Sequence, residues 1–280
     1  MNLTAFVQSL EHRLPPATAM KGDRIGLQLQ SGRSEISSVL VTMEMTDRVV
    51  EEAVEQGADC IVAFHPLIFA PLIALTDSER VGRICTKLIA HGIALVVAHT
   101  NFDAFPKGTS TLLAERLGLR VEKTLVPDAA HEGFGMGIEA SLNTPETTMD
   151  FVARLHAVTN APVRHNTGRS NSIQRVAIVG GSGASFIDAA LAARVDAFIT
   201  ADLKYHDFHR TEGALTLIDP GHYEMEQFVP LGLASLTEEI AKHHAETLIV
   251  KRSQTVPNPI LYYPNTEKYR IAQQNTLHHA

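Results

Sequence analysis

Apolar runs of strand length alternate with amphipathic stretches of helix length twice along this chain, and that alternation admits few folds. From Ser37 the sequence reads SSVLVTMEM, TDRVVEEAVEQG and ADCIVAFHPLIF. These are a β-branched run, a segment with Val49, Val50, Ala53 and Val54 at helical spacing, and a second apolar run. Thr46 or Asp47 is placed to cap the helix and Gly57 to end it. A second helix, about Ser78 to Gly92 with Val81, Ile84, Leu88 and Ile89 on one face, leads into IALVVA and then HTNFDA. The order βαβαβ predicts a parallel sheet with right-handed crossovers.

The second half repeats the order with QRVAIVGGSG, SFIDAALAARV, DAFITADLKYHD, LTLID and PGHYEMEQF. Laid over the first half, GADCIVAFH matches RVDAFITAD and places His65 opposite Asp202. His99 and Asp103 follow the strand IALVV at a spacing of four, and His222 and Glu226 follow LTLID at the same spacing. The expected fold class is therefore α/β, with two related lobes built from duplicated βαβ units. Residues 1–125 are expected to form the first lobe, 126–172 a small α/β insertion leading into the second, and 173–270 the second half. A further helix is expected over about Ala234 to His244 and a strand around Thr247 to Val250, with 271–280 a disordered tail.

Composition narrows the function classes. A chain of 280 residues that is 45% apolar buries a large core, and a net charge of -7 argues against a general nucleic-acid-binding surface. Two cysteines, Cys60 and Cys85, supply neither a disulfide framework nor a Cys-rich zinc site. No uncharged apolar run reaches the roughly 20 residues that span a bilayer, so a cytoplasmic protein is expected, with no membrane and no nucleic-acid partner. Fourteen histidines are unusual, and imidazole is the commonest transition-metal ligand. His243, His244, His278 and His279 read as solvent-facing.

In parallel α/β sheets ligands gather at the carboxyl ends of the strands. Four polar segments fall there: His65, His99 to Asp103, Asp202 to Asp207, and His222 to Glu226. Mixed imidazole and carboxylate ligands suit Zn, Fe, Mn or Co, and Asp103 and Glu226 are able to bridge two ions. VGGSGASF, carrying Gly181 and Ser182, reads either as backbone N–H groups that hold a phosphate or as a tight turn that packs helix on strand. Asp202, Lys204, Tyr205 and His206 read either as a functional rim or as a solvated loop.

Together these segments resemble one family, the Nif-three-like proteins, known also as dinuclear metal centre hexameric proteins and as GTP cyclohydrolase 1 type 2 homologues. The resemblance runs through GDRIGLQ at Gly22 to Gln28, FHPLIF at Phe64 to Phe69, HTNFDA at His99 to Ala104, GGSG at Gly180 to Gly183, DLKYHD at Asp202 to Asp207 and GHYEME at Gly221 to Glu226. It implies two α/β lobes with a metal cleft between them, assembled as a homo-hexamer. The ligands it implies are His65, Asp103, His222 and Glu226. The first histidine of the family's HHP segment falls on Phe64, which has no donor atom. Three outcomes stay open, in which water or a neighbour such as His99 replaces the lost ligand, the second ion binds weakly, or the site holds a single ion; the expectation is one tightly held divalent ion and a second that is weak or absent. The implied activity is metal-dependent hydrolysis of a nucleotide or related heterocycle, GTP cyclohydrolase-like, with His206 or His99 moving protons and Gly181, Ser182 and Lys204 contacting phosphate. The competing expectation is a non-catalytic metal-handling or scaffold protein.

Overall fold

In the computed structural model, which describes residues 1–255 and 258–262, eleven strands form two sheets. In chain order they are β1 (Gly26–Leu29), β2 (Ser38–Thr42), β3 (Cys60–Ala63), β4 (Ala94–Val97), β5 (Arg120–Pro127), β6 (Gly135–Thr147), β7 (Arg164–His165), β8 (Ser172–Ser182), β9 (Ala197–Ala201), β10 (Thr216–Asp219) and β11 (Ile249–Arg252). The first sheet has the order β1-β4-β3-β2-β11 and the second β5-β6-β8-β9-β10-β7.

Each sheet is built on three adjacent parallel strands, β2-β3-β4 in one and β8-β9-β10 in the other. Each trio is flanked past its third strand by one antiparallel neighbour, β1 on β4 and β7 on β10. This is the repeat that the alternation predicted. Every residue of β2, β3, β4, β9 and β10 is buried, as expected for parallel strands covered on both faces. Successive side chains point to opposite faces of a strand. Val39, Val41, Val62 and Val96 accordingly pack with Phe6, Leu10, Leu233 and Ile240 of the helices Leu3–Arg13 and Val229–His243. Leu40, Ile61, Leu95 and Val97 pack with Val49, Val50, Ile84 and Leu88 of the helices Asp47–Glu55 and Arg80–Ala90. Thr46 caps the first of that pair by accepting from Val49 N at 3.2 Å, and Gly57, at φ +65°, follows its end.

The architecture differs from the expected boundaries in three places. Residues 126–172 join the second sheet, in which residues 135–141 of β6 pair with β5 and residues 138–141 and 146–147 pair with β8, and Ile138, Ala140 and Leu142 enter the second core. The second sheet already begins at Arg120, and Pro127 is tolerated in β5 because that strand lies at the sheet edge. After Glu226 the chain crosses back: the helix Val229–His243 packs on the first core, and β11 pairs in parallel with β2. The tail expected at 271–280 lies outside the described residues. Among the described residues no helix is long and apolar enough to cross a membrane.

Candidate metal centre

All four polar segments lie just past the carboxyl ends of parallel strands: His65 after β3, His99–Asp103 after β4, Asp202 after β9, and His222–Glu226 after β10. Backbone pairing continues past β3, with Phe64 N donating to Thr42 O at 3.0 Å and His65 N to Met43 O at 2.8 Å, so His65 leaves the sheet in a fixed direction. Gly221, at φ +98°, turns the chain out of β10 into the five-residue helix His222–Glu226. A spacing of four puts both ends of that helix on one face. His222 Nε2 lies 3.0 Å from Glu226 Oε2.

The first lobe completes the group. His65 Nε2 lies 3.2 Å from the same Glu226 oxygen, and the ligand atoms of His65, His222 and Glu226 all fall within 4.8 Å of one another. Glu226 is buried, and the two imidazoles are its close polar neighbours. Both imidazoles turn Nδ1 outward onto a further carboxylate, at 3.2 Å to Glu44 for His65 and 2.7 Å to Asp202 for His222. An outer carboxylate on Nδ1 fixes the ring and its tautomer and leaves Nε2 facing inward, the arrangement usual around metal-ligating histidines. His99 repeats it, with Nδ1 2.8 Å from Asp23.

Charge is finely balanced here. Burial works to lower the His65 pKa, yet contact with Glu226 and Glu44 outweighs it and lifts the group from 6.5 to about 10. His222 rises to about 9 in the same way, burial opposing and Glu226 and Asp202 prevailing. Burial, then the Glu226 charge, pushes Asp103 up, whereas Glu226 itself is held down by the two imidazoles in spite of its burial. Asp23 too stays below the usual carboxylate range: burial opposes its charge, but bonds from His99 and Thr100 outweigh it.

The remaining expected residues fall in different places. Asp103 accepts from Thr109 Oγ1 at 2.5 Å and interacts electrostatically with Glu226, His65 and His99, but stands outside the 4.8 Å group. Phe64 is fully buried, its ring centroid 5.0 Å from that of His65 and 5.3 Å from that of His99. Gly181 and Ser182 end β8, where Ser182 pairs with Ala201, and the turn Ala184–Phe186 and the helix Ile187–Ala192 follow. Gly181 serves the site through its missing side chain: a Cβ there would overlap Glu226 Oε1 and lie 3.3 Å from the His222 ring. Lys204, Tyr205 and His206 are exposed on the segment that follows Asp202. Glu44 was missed in the sequence, although its position directly after the run SSVLVTM places it at a strand end like the others. Asp23 lies within GDRIGLQ, where nothing local marks it as the partner of His99.

Comparison with known proteins finds relatives along nearly the whole chain. The family described as Duf34/NIF3 (NGG1p interacting factor 3) matches residues 1–259. The chain is 36% identical over 265 residues to a GTP cyclohydrolase 1 type 2 homolog of Streptomyces coelicolor, covering 92% of this chain and 93% of the relative. A protein of the same name from Lactococcus lactis is 35% identical over 238 residues, covering 82% and 90% respectively. The crystal structure of a hypothetical protein of Staphylococcus aureus superposes with a TM-score of 0.85 at 29% identity, covering 94% of this chain and 99% of that one. A Bacillus cereus protein related to NIF3 shares the fold, with a TM-score of 0.86 at 23% identity over 94% of this chain and 99% of its own. With the two-sheet fold and the histidines at the strand ends already in place, the match along nearly the whole chain makes this protein a member of the Duf34/NIF3 family.

Proposed function

We propose that this chain is a metal-dependent hydrolase of a nucleotide or a related heterocycle, the reading its relatives' name suggests, with a divalent cation held by His65, His222 and Glu226 and with Asp103 beside them. The observation that carries it is the convergence of two imidazoles from different strand ends on the buried Glu226, whose Oε2 lies 3.0 and 3.2 Å from their Nε2 atoms. In the metal-free protein the imidazoles hold protons against that carboxylate, and a divalent cation that displaced them would take the same three atoms as ligands. Two imidazoles with carboxylates suit Zn, Fe, Mn or Co. Such a cation, when bound, supplies a Lewis acid that brings the pKa of water toward neutrality.

The chain's own residues do the rest. Glu44 and Asp202 orient the two ligand rings through Nδ1. His99, oriented by Asp23, offers Nε2 to take up or give a proton beside the group. Lys204 and His206 supply a positive and a titratable group to a substrate's phosphate. The buried apolar ring of Phe64 supports one tightly held ion rather than two. That same ring favours a second reading, a non-catalytic metal-handling protein, because hydrolysis by paired ions needs both. A homo-hexamer belongs to the proposal as well, and Phe69, Ile73 and Leu75, exposed after His65, offer apolar surface for contact between copies.

Metal analysis followed by turnover of a nucleotide and pterin-precursor panel separates these readings. Hydrolysis that disappears together with the metal in His222→Ala supports the enzyme. Bound metal without turnover of any compound supports metal handling, and a wild-type chain that binds no divalent metal refutes both.

A further inference from the structure

The helix His222–Glu226 has five residues, too few to hold its own shape, since helices shorter than about 12 residues are marginal in water without tertiary support. Its geometry must be imposed by neighbours. One neighbour is its own second lobe, through Met225 in the second core and Gln227 Nε2 donating to Thr159 O at 3.0 Å. Another arrives from the far end of the chain.

Past β11 the chain is fastened to the first lobe. Ser253 N donates to Val41 O at 2.8 Å, and Glu52 accepts from Gln254 N at 2.8 Å and from Thr255 Oγ1 at 2.9 Å. A few residues on, it meets the ligand helix. Asn258 Nδ2 donates to Glu224 Oε1 at 3.0 Å, while Asn258 Oδ1 accepts from Ile260 N at 3.0 Å, which fixes the orientation of the amide. Glu224 is buried at 3% exposure, two residues from both His222 and Glu226 and so on the opposite side of the short helix. Its carboxylate and the Tyr262 hydroxyl together fill the space above Gly221, the residue that turns the chain into the ligand helix.

We infer that residues 253–255, anchored on Glu52, and residues 258–262, set on Glu224 and Gly221, act together as a positioning strap, which sets the angle of His222 and Glu226 against His65. None of its residues belongs to the ligand group. The inference rests on the metal-centre reading above and adds to it that affinity for the ion depends on Asn258 and Glu52. Outer contacts that orient metal ligands change affinity by about 10- to 100-fold.

The test uses the full chain and Zn²⁺ alone as probe, in competition with a chromophoric chelator, for wild type, Asn258→Ala and Glu52→Ala. Amide exchange of the metal-free proteins is followed over residues 221–227. Zn²⁺ affinity should fall by about tenfold in Asn258→Ala and in the same direction in Glu52→Ala. Exchange over 221–227 should quicken in both, and the unfolding midpoint should shift by no more than a few degrees, as for loss of one partly buried hydrogen bond. Zn²⁺ affinity within twofold of wild type together with unchanged exchange in both variants overturns the strap. Should the wild type bind no Zn²⁺, the metal reading falls, and exchange over 221–227 alone decides whether the strap orders the turn.

Discussion

Replacing Gly181 with alanine adds a single methyl group, and its effect can be worked out from two separate terms. The first is conformational: Gly181 sits at φ +62°, where a residue with a Cβ costs about 1 kcal/mol. The second is local crowding. The new Cβ would overlap Glu226 Oε1 and lie 3.3 Å from His222 Cε1 and Nε2. Carbon and oxygen settle near 3.5 Å, so the carboxylate must retreat by about an ångström. Metal–ligand distances tolerate about 0.2 Å. Loss of one ligand from a three-donor group should then weaken Zn²⁺ binding by at least about 100-fold, or about 2.7 kcal/mol. Gly118 is the control, because at φ +66° it has the same backbone requirement with nothing within 4 Å of a Cβ. Gly118→Ala should lose about 1 kcal/mol of stability and keep full Zn²⁺ affinity. The assay is chelator competition, with thermal unfolding run with and without Zn²⁺, since a ligand specific to the folded state raises the midpoint. Equal Zn²⁺ affinity in the two variants would refute the claim that Gly181 makes room for the ligands.

Three further outcomes follow from the same contacts. Asp202→Ala removes the carboxylate on His222 Nδ1 and should weaken Zn²⁺ by about 10- to 100-fold without exposing the core; affinity within twofold of wild type would show that His222 needs no outer partner. Because contact with acids raises His65 to about 10 and His222 to about 9, a bound cation must displace protons, so apparent affinity should rise with pH between 6 and 9. Competition titrations across that range check this, and a flat profile contradicts it. Asp47, drawn from 3.8 to about 2 by bonds from Arg83 and Lys87, has a depressed folded-state value, so its contribution is present above pH 3.8 and is lost as pH falls toward 2. About a third of that side chain is exposed, which discounts the contribution to about 1 kcal/mol. Asp47→Asn should therefore be less stable than wild type to urea at pH 7, and the difference should shrink by more than half as pH falls from about 4 to 2.

Much of the fold could be read directly because parallel strands covered on both faces appear as unbroken apolar runs: β2, β3, β4, β9 and β10 are all of this kind. The repeated spacing of histidine and carboxylate was legible for the same reason, since each pair sits where a buried strand ends. Two features depend on distant partners and were not legible. Nothing local in Ile249–Arg252, whose residues are mostly exposed, announces that it pairs with β2 across two hundred residues of chain. The strand β6 looked like an insertion because a Gly-rich opening and a bulge interrupt its alternation, although it is the link between β5 and β8. At the site, Glu44, Asp23 and Thr109 escaped notice because a carboxylate or hydroxyl in a loop reads as solvated until an imidazole or an acid is found against it. Gly181 was read for its backbone, whereas its place in the site is the space it leaves for Glu226.

X-ray absorption at the zinc edge of the loaded protein reports most directly on whether one positive ion gathers ligands from both lobes. The account predicts two imidazole nitrogens at about 2.0–2.1 Å and a carboxylate oxygen at about 2.0–2.2 Å, with one imidazole lost in His65→Ala and one in His222→Ala. An all-oxygen shell, or a spectrum unchanged by both substitutions, would place the metal elsewhere and contradict it.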